Sequence, residues 1–315
     1  MPLEIGLIGA TGIAARTMLR PGVHVRAVAA SDPVRAKEYA TQHGIPVVHE
    51  NYAALLADPS IKAVYISLHN SAHHRWAVRA AVAGKHVIVE KPLCLTVEEV
   101  AELEFAATDV QVFEAVATAH EWQDTVRGYV EEQPYGRLES VETRMTFAVP
   151  ASGGYRDRPE LGGGIFFDTA SYWLQAVQAT VGLDVVSAEG RSDFDGPDRV
   201  DRSFTASLRW ATAATATLTA AVGEQHVSDH VFTFQQATVK VRSFLRPAAG
   251  AVPVNLIVTP ADGERQVIGF PPVAYYDRQL ERIMNSSTDD LAAAAPRIAL
   301  MADIYQDARR RKEQG

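Results

Sequence analysis

An acid, a lysine and a proline follow one another at the end of an apolar run, His86-Val87-Ile88-Val89-Glu90-Lys91-Pro92-Leu93. In open α/β sheets, ligands bind at the carboxyl ends of strands. A lysine there can hydrogen-bond a substrate oxygen or a nicotinamide ribose, and Pro92 fixes the direction in which the chain leaves. The chain has only six lysines, so one at a strand end stands out; a surface lysine paired with Glu90 is the plainer alternative. A second segment, Gly6-Leu7-Ile8-Gly9-Ala10-Thr11-Gly12-Ile13-Ala14, reads as the end of a strand, a small-residue loop and the start of a helix. Glycine at Gly9 permits a tight turn. Small residues beyond it let a pyrophosphate approach the backbone, and the helix start offers free N–H groups and a positive dipole end. Thr11 takes the second glycine position and Ala14 the third, so the strict G-x-G-x-x-G is absent. The strand–loop–helix setting carries the reading.

The ribose end of a dinucleotide would meet Ala29-Ala30-Ser31-Asp32-Pro33-Val34-Arg35. Asp32 has the spacing of an acid that binds the ribose hydroxyls of NAD, but Asp-Pro also caps the next helix. Ser31 can hydrogen-bond a 2′-phosphate, and Arg35 lies one turn on. With no unambiguous ribose acid, the segment favours NADP and leaves NAD open.

These residues need a scaffold, and the apolar periodicity supplies one. Short strands are expected over residues 3–8, 23–29, 46–48, 63–68, 86–89 and 110–116. Helices are expected between them over 13–19, 33–43, 52–57, 73–83 and 97–107. Such alternation predicts a doubly wound parallel sheet, an α/β Rossmann domain. After about residue 123 the pattern changes. A two-residue alternation over 138–149 and closely spaced strand-like runs from 185 to 268 predict an antiparallel sheet. They are joined by helices over 125–133 and 166–181 and followed by helices over 275–285 and 291–310. The expected division is a dinucleotide-binding domain over 1–120, an α+β domain over 121–290, and a last helical segment, 291–315, packed back on the first domain. A sheet with helices for one face only leaves the other bare. That face, expected to be rich in Ala, Thr, Val and Phe, predicts a homodimer or homotetramer.

Composition removes other classes. A net charge of −8 speaks against a nucleic-acid protein. A single cysteine, Cys94, rules out an intramolecular disulfide and any cysteine-cluster metal site. No apolar run approaches the roughly 20 residues of a membrane helix, and Met1-Pro2-Leu3-Glu4 lacks the basic start of a signal peptide. A cytoplasmic protein is expected. His69, His73 and His74 straddle a strand end and a helix start without matching Cys, Asp or Glu spacing, so no metal site is expected. Ser67 and Ser71 lack a G-x-S-x-G setting, which speaks against a hydrolase.

The segments above fall in the order and at the distances of a known family. The chain resembles the glucose–fructose oxidoreductase/inositol dehydrogenase (Gfo/Idh/MocA) oxidoreductases over nearly its whole length. The resemblance includes the Gly9–Ala14 loop and Val64-Tyr65-Ile66-Ser67-Leu68-His69-Asn70-Ser71-Ala72-His73. Its most specific element is Ala83-Gly84-Lys85-His86-Val87-Ile88-Val89-Glu90-Lys91-Pro92-Leu93, and it extends to Glu114-Ala115. It also covers Gly162-Gly163-Gly164-Ile165-Phe166-Phe167-Asp168-Thr169-Ala170-Ser171-Tyr172. The resemblance implies a Rossmann domain followed by a domain with an open-faced, mainly antiparallel sheet, NAD or NADP on the first, and substrate in the cleft between the two. It implies cofactor contacts by Gly9, Thr11, Gly12, Ile13, Leu68, His69, Asn70, His73, Glu90 and Lys91, beside the Ser31 and Arg35 of the ribose corner. It puts Lys91 in the place of the catalytic lysine, and Asp168 and Tyr172 in the places of an aspartate and of a histidine or tyrosine.

Physics supports that pair. Residues four apart share a helix face, and a phenol is a poor base at neutral pH unless an ammonium lies near it. The resemblance therefore implies hydride transfer between nicotinamide and a secondary alcohol or ketone of a sugar-like substrate. Tyr172 would exchange the proton, and Asp168 would orient substrate or Lys91. Arg156-Asp157-Arg158 before the glycines could meet the phosphate of a nucleotide-sugar, or be an ordinary charged loop. Two departures stand out: His69 where proline is usual, and Ala117-Thr118-Ala119-His120-Glu121-Trp122 in a segment that normally lines the pocket. They leave open reduction of an imine or another C=X bond, and a non-catalytic dinucleotide sensor.

Overall fold

The computed structural model describes residues 3–148, 154–286, 288 and 290–314. Two compact units emerge, one of Met1–Ala115 with Gln279–Ile298, the other of Val116–Arg278 with Ala299–Gly315. The chain thus divides after Ala115, and the last helix is shared. Leu291, Ala294 and Ile298 belong to the core of the first unit, and the residues from Ala299 onward to the second.

The first unit carries a parallel sheet of β1 (Glu4–Ile8), β2 (His24–Ala29), β3 (Val47–Val48), β4 (Ala63–Ile66), β5 (His86–Glu90) and β6 (Val112–Ala115), in the order β3-β2-β1-β4-β5-β6. The reversal of direction on either side of β1 creates the crevice in which open α/β sheets bind ligands. Its helices are α1 (Gly12–Met18), α2 (Pro33–His43), α3 (Tyr52–Ala57), α4 (Asn70–Val82) and α5 (Val97–Ala106). The strands are Val/Ile/Ala-rich and buried on both faces, as a sheet covered by helices requires. Two clusters form the core. Ile8, Val64, Ile66, Val87 and Val89 pack in one, and Ile5, Leu7, Val28, Tyr65 and Ile88 in the other.

The second unit begins with α6 (Glu121–Glu132) and β7 (Leu138–Phe147); Val149, the expected end of that strand, and Met1-Pro2 of the start lie outside the described residues. Helix α7 (Ile165–Thr180) precedes β8 (Ser187–Arg191), β9 (Ser203–Arg209), β10 (Thr215–Val222), β11 (Val227–Phe234), β12 (Ala237–Val241), β13 (Val252–Pro260) and β14 (Gln266–Val273). Helices α8 (Tyr275–Asn285) and α9 (Leu291–Gln314) end the chain. The sheet order is β14-β13-β12-β11-β7-β10-β9-β8, antiparallel except for the β10–β7 pair. β14 runs on through Pro271 and Pro272, which an edge strand tolerates because its outer side needs no donor.

The two faces of this sheet differ from the composition expected of them. Phe204, Phe232, Phe234, Ala216 and Ala220 are all on the buried face. The opposite face carries Thr205, Thr217, Thr219, Thr233, Glu142, Arg144, Asp229 and Lys240, with Val231 and Ile257 between them. Strand alternation sends the aromatic and alanine side chains inward, so the bare face is a threonine-rich, charged surface rather than an apolar one. Among the described residues no helix is long and apolar enough to cross a membrane.

Candidate active site

The turn after β1 is built around Gly9. Its φ of 113° favours glycine, and a Cβ there would lie 2.7 Å from the Ser67 carbonyl oxygen at the end of β4. Thr11 caps α1, accepting the Ala14 N–H at 3.1 Å, and its hydroxyl lies 2.8 Å from that of Ser67. The Tyr39 hydroxyl donates to the Thr11 carbonyl at 3.0 Å. Thr11 therefore fixes the loop. The open side is at Gly12, where a Cβ would meet nothing within 4 Å, next to half-buried Ile13.

At the end of β2, Asp32 accepts the Val34 N–H at 2.8 Å as the N-cap of α2, so capping is its structural task. Ser31 and Arg35 are exposed beside it. Both act on Tyr52 at the start of α3: burial raises its phenol pKa, while hydrogen bonding with Ser31 and the Arg35 charge pull it down. Arg35 acts likewise on Tyr39, whose phenol burial pushes up to about 12. Tyr52 thus joins the Ser31–Arg35 corner. Sequence reasoning missed it because the residues before α3 carry no motif.

Leu68, His69 and Asn70 form the turn from β4 into α4, with His69 Nδ1 3.1 Å from the Ser71 hydroxyl and Asn70 buried. His73, expected at the cofactor, lies inside the fold. It is 1% exposed, with Nδ1 2.8 Å from the Pro92 carbonyl and Nε2 3.1 Å from that of Leu68. Burial pulls its pKa down to about 4, so the ring is neutral and donates to one of the two carbonyls. It packs between the β4 turn and the chain leaving β5, both ring nitrogens facing carbonyl oxygens.

That contact is one of two that fix Lys91. On the other side, the Leu93 N–H donates to Glu114 Oε1 at 3.0 Å, and Arg297 from α9 donates to Glu114 Oε2 at 2.6 Å. Side-chain exposures of 11% and 3% make this a buried ion pair. Arg297, 183 residues from Glu114, gave no sequence signal. Glu90 accepts from the Tyr65 hydroxyl; burial raises its pKa against the pull of Tyr65 and Lys91. Lys91 emerges half-buried from this frame.

In the second unit, α7 carries Asp168 in its first turn and Tyr172 one turn on. The triple glycine before it has steric causes. A Cβ on Gly163 would lie 2.6–2.7 Å from the carbonyl oxygens of Tyr155, Arg156 and Arg158, and one on Gly164 2.0 Å from Asp201 Oδ1. Asp168 is 4% exposed and ion-paired to Arg156 through Nε and Oδ2, with Arg156 NH2 3.5 Å and the Tyr155 hydroxyl 3.4 Å from Oδ1. Arg156 is thus engaged by Asp168. Tyr172 is half-buried, and its phenol acts electrostatically on the same guanidinium. Its neighbour Trp173, fully buried, is the packing residue. His120 accepts the Trp122 N–H as the cap of α6, and burial takes its pKa down to about 4. Thr118 and Gln123 hydrogen-bond Gln175 on α7 at 2.9 and 3.0 Å, so this segment braces the helix that carries Tyr172.

Comparison with known proteins agrees with this architecture. Residues 3–118 match an oxidoreductase family with an NAD-binding Rossmann fold, and residues 124–236 match the GFO/IDH/MocA C-terminal domain. An uncharacterized oxidoreductase of Rhizobium meliloti is 33% identical over 224 residues, 69% of this chain and 67% of that protein. A D-xylose 1-dehydrogenase (NADP(+)) of Haloferax volcanii is 28% identical over 290 residues, 89% of this chain and 87% of its own. A 3-ketoreductase from Actinomadura kijaniata, solved in complex with NADP and TDP-benzene, superposes with a TM-score of 0.87 over 98% of each chain at 23% identity, which speaks to the fold. With both of the family's domains present in order, the chain belongs to the GFO/IDH/MocA family of NAD-binding oxidoreductases.

Proposed function

We propose that this protein is an NADP-dependent oxidoreductase acting on a secondary alcohol or ketone of a sugar or sugar-like substrate, nucleotide-sugars included. The observation that carries the reading is the frame around Lys91: a lysine at a strand end, held from both sides by His73 and Glu114, in a sheet whose first turn is open at Gly12. That loop fits a dinucleotide, since Gly9 makes the tight turn and the bare Gly12 leaves room for a pyrophosphate. Thr11, Gly12 and Ile13 would hold it there. Ser31 and Arg35 would hold a 2′-phosphate, and Leu68, His69, Asn70 and Glu90 would line the path toward Lys91. When bound, the nicotinamide supplies or accepts the hydride. Lys91 would hydrogen-bond the substrate oxygen, and Tyr172 would exchange a proton with the substrate. Asp168, oriented by Arg156, orients the substrate. The names of the xylose dehydrogenase and the 3-ketoreductase support the substrate class.

The test is turnover followed by nicotinamide absorbance, with D-xylose plus NADP⁺ and with 1,5-anhydro-D-fructose, the substrate named for a further relative, plus NADPH. Saturable turnover of either supports the reading. Tight NADPH binding with no turnover of these or of nucleotide-linked 3-ketosugars would replace it with a dinucleotide sensor.

A homodimer or homotetramer through the second sheet is part of the proposal. Its support is a bare face eight strands wide, on which threonines and paired charges suit a second copy of the same sheet. Sedimentation should give a dimer or tetramer at micromolar concentration; a stable monomer would exclude it. A cytoplasmic location is likewise proposed, on the strength of the single, buried Cys94.

A further inference from the structure

Helix α7 is capped from outside itself. Asp201, in the loop before β9, accepts the Phe166 N–H on Oδ2 at 2.7 Å, and its backbone oxygen accepts the Ile165 N–H at 3.0 Å. The N-cap residue, Gly164, makes no side-chain cap. A Cβ there would strike the Asp201 carboxylate, so a glycine at 164 is what admits it. Asp201 is 1% exposed, and among the described residues its Oδ1 has no hydrogen-bond partner.

This is a costly way to cap a helix. A buried carboxylate oxygen without a partner is unfavourable, and burial drives the Asp201 pKa up to about 7, opposed by its backbone hydrogen bonds and by Arg309. A serine or asparagine N-cap with extended backbone is the ordinary solution and carries no such penalty, whereas Gly164, at φ 103°, has a backbone that favours glycine. What the external cap adds is a tie between parts. The same turn sends the Gly164 N–H to the Arg156 carbonyl at 2.9 Å, in the loop from which Arg156 reaches Asp168. On the far side of α7, Tyr305 stacks on Phe166 and Phe204, and Phe204 lies three residues beyond Asp201.

We infer that Asp201 is a positioning residue for the reaction: by closing the N-terminus of α7 from a neighbouring loop, it sets where Asp168 and Tyr172 stand relative to Arg156. This rests on the reading of Asp168 and Tyr172 as the groups that meet substrate. Asp201 touches neither substrate nor cofactor in this account; it acts through the helix.

The experiment compares Asp201→Ala, Asp201→Asn and Tyr172→Phe, using D-xylose with NADP⁺ or whichever substrate of the turnover panel the wild type converts fastest. NADPH affinity is measured in parallel by intrinsic fluorescence. Asp201→Ala should lower kcat about 10–100-fold, the scale of a displaced catalytic group, with NADPH affinity within about twofold of wild type. Asp201→Asn keeps an acceptor oxygen for Phe166 and should recover kcat to within about threefold. If Asp201→Ala does not fold, Asp201→Ser replaces it with the same expected loss, because its shorter hydroxyl cannot span to Phe166. A lowered thermal midpoint with unchanged kcat in Asp201→Ala or Asp201→Ser would overturn the inference. So would an Asn variant as impaired as Ala. Wild-type rates in Tyr172→Phe would instead sink the reading of the site. A slow Tyr172→Phe beside a fast Asp201→Ala would sink this inference alone.

Discussion

The Arg156 guanidinium holds the Asp168 carboxylate twelve residues ahead of it, with Asp168 4% exposed and the Arg156 side chain about one-third exposed. A carboxylate this buried needs its partner. Removing one member of such a pair leaves a charge that burial disfavours.

Arg156→Ala should therefore cost about 1.5–3 kcal/mol of stability, the range of a hydrogen bond to a charged group. It should also lower kcat, because Asp168 loses the group that orients it. Arg156→Lys keeps the charge but not the fork, and should recover stability better than rate. Thermal midpoints and steady-state rates on the same preparations check both. A variant with full kcat would make the pair purely structural.

The ribose corner gives a second test. Arg35→Ala and Ser31→Ala should each lower NADPH affinity, by about tenfold for the arginine, and leave NADH affinity nearly unchanged. Asp32→Ala removes the cap of α2 and should cost about 1 kcal/mol of stability without changing the NADPH/NADH ratio. Calorimetric titration of both cofactors decides it. A tenfold preference for NADH that disappears in Asp32→Ala would assign that carboxylate to the ribose instead.

Stability should depend on pH in two opposed ways. Burial holds His73 and His120 at about 4 and His230 at about 3, below the ordinary 6.5. These rings are neutral when folded, whereas the unfolded chain takes up protons below about pH 6.5. Their contribution is complete above that value and is lost as pH falls toward 4, by about 1.4 kcal/mol per pH unit for each ring. Asp201 runs the other way: raised from 3.8 to about 7 by burial, it favours the fold at low pH and loses that contribution as pH rises through 7. Denaturant titrations from about pH 5 to pH 8 should show His230→Phe flattening the acid limb. The stability of Asp201→Asn relative to wild type should grow with pH. Parallel curves for wild type and both variants would contradict these assignments.

Much of the first unit was legible because its signals are local. The glycine turn and the apolar strands are each set within a few residues. The same locality explains Asp32, where Asp-Pro before a helix announced the cap that the structure contains. What escaped the sequence is carried by distance. Glu114 meets Arg297, Ser31 meets Tyr52, and Asp201 meets the start of α7, and no periodicity links such positions. The surroundings of His73 also lie beyond local pattern: its nitrogens face two carbonyls that only the folded chain brings together. The bare sheet face misled for another reason. Composition named its residue types, but the strand register that turns Phe232 and Phe234 inward became visible only once β7 and β11 were paired.

The central claim is that Lys91 and Tyr172 serve one proton-transfer step on a substrate oxygen. The most direct measurement is kcat for Lys91→Ala, Tyr172→Phe and the double variant on the fastest substrate, with NADPH affinity and thermal midpoint recorded for each. Tyr172→Phe should lower kcat by about 10²–10⁴, the usual cost of a lost acid/base group, and Lys91→Ala by at least as much. Residues that act as a unit are not additive, so the double variant should be far less impaired than the product of the two losses. A Tyr172→Phe enzyme at near wild-type rate, or losses that simply multiply, would contradict the account.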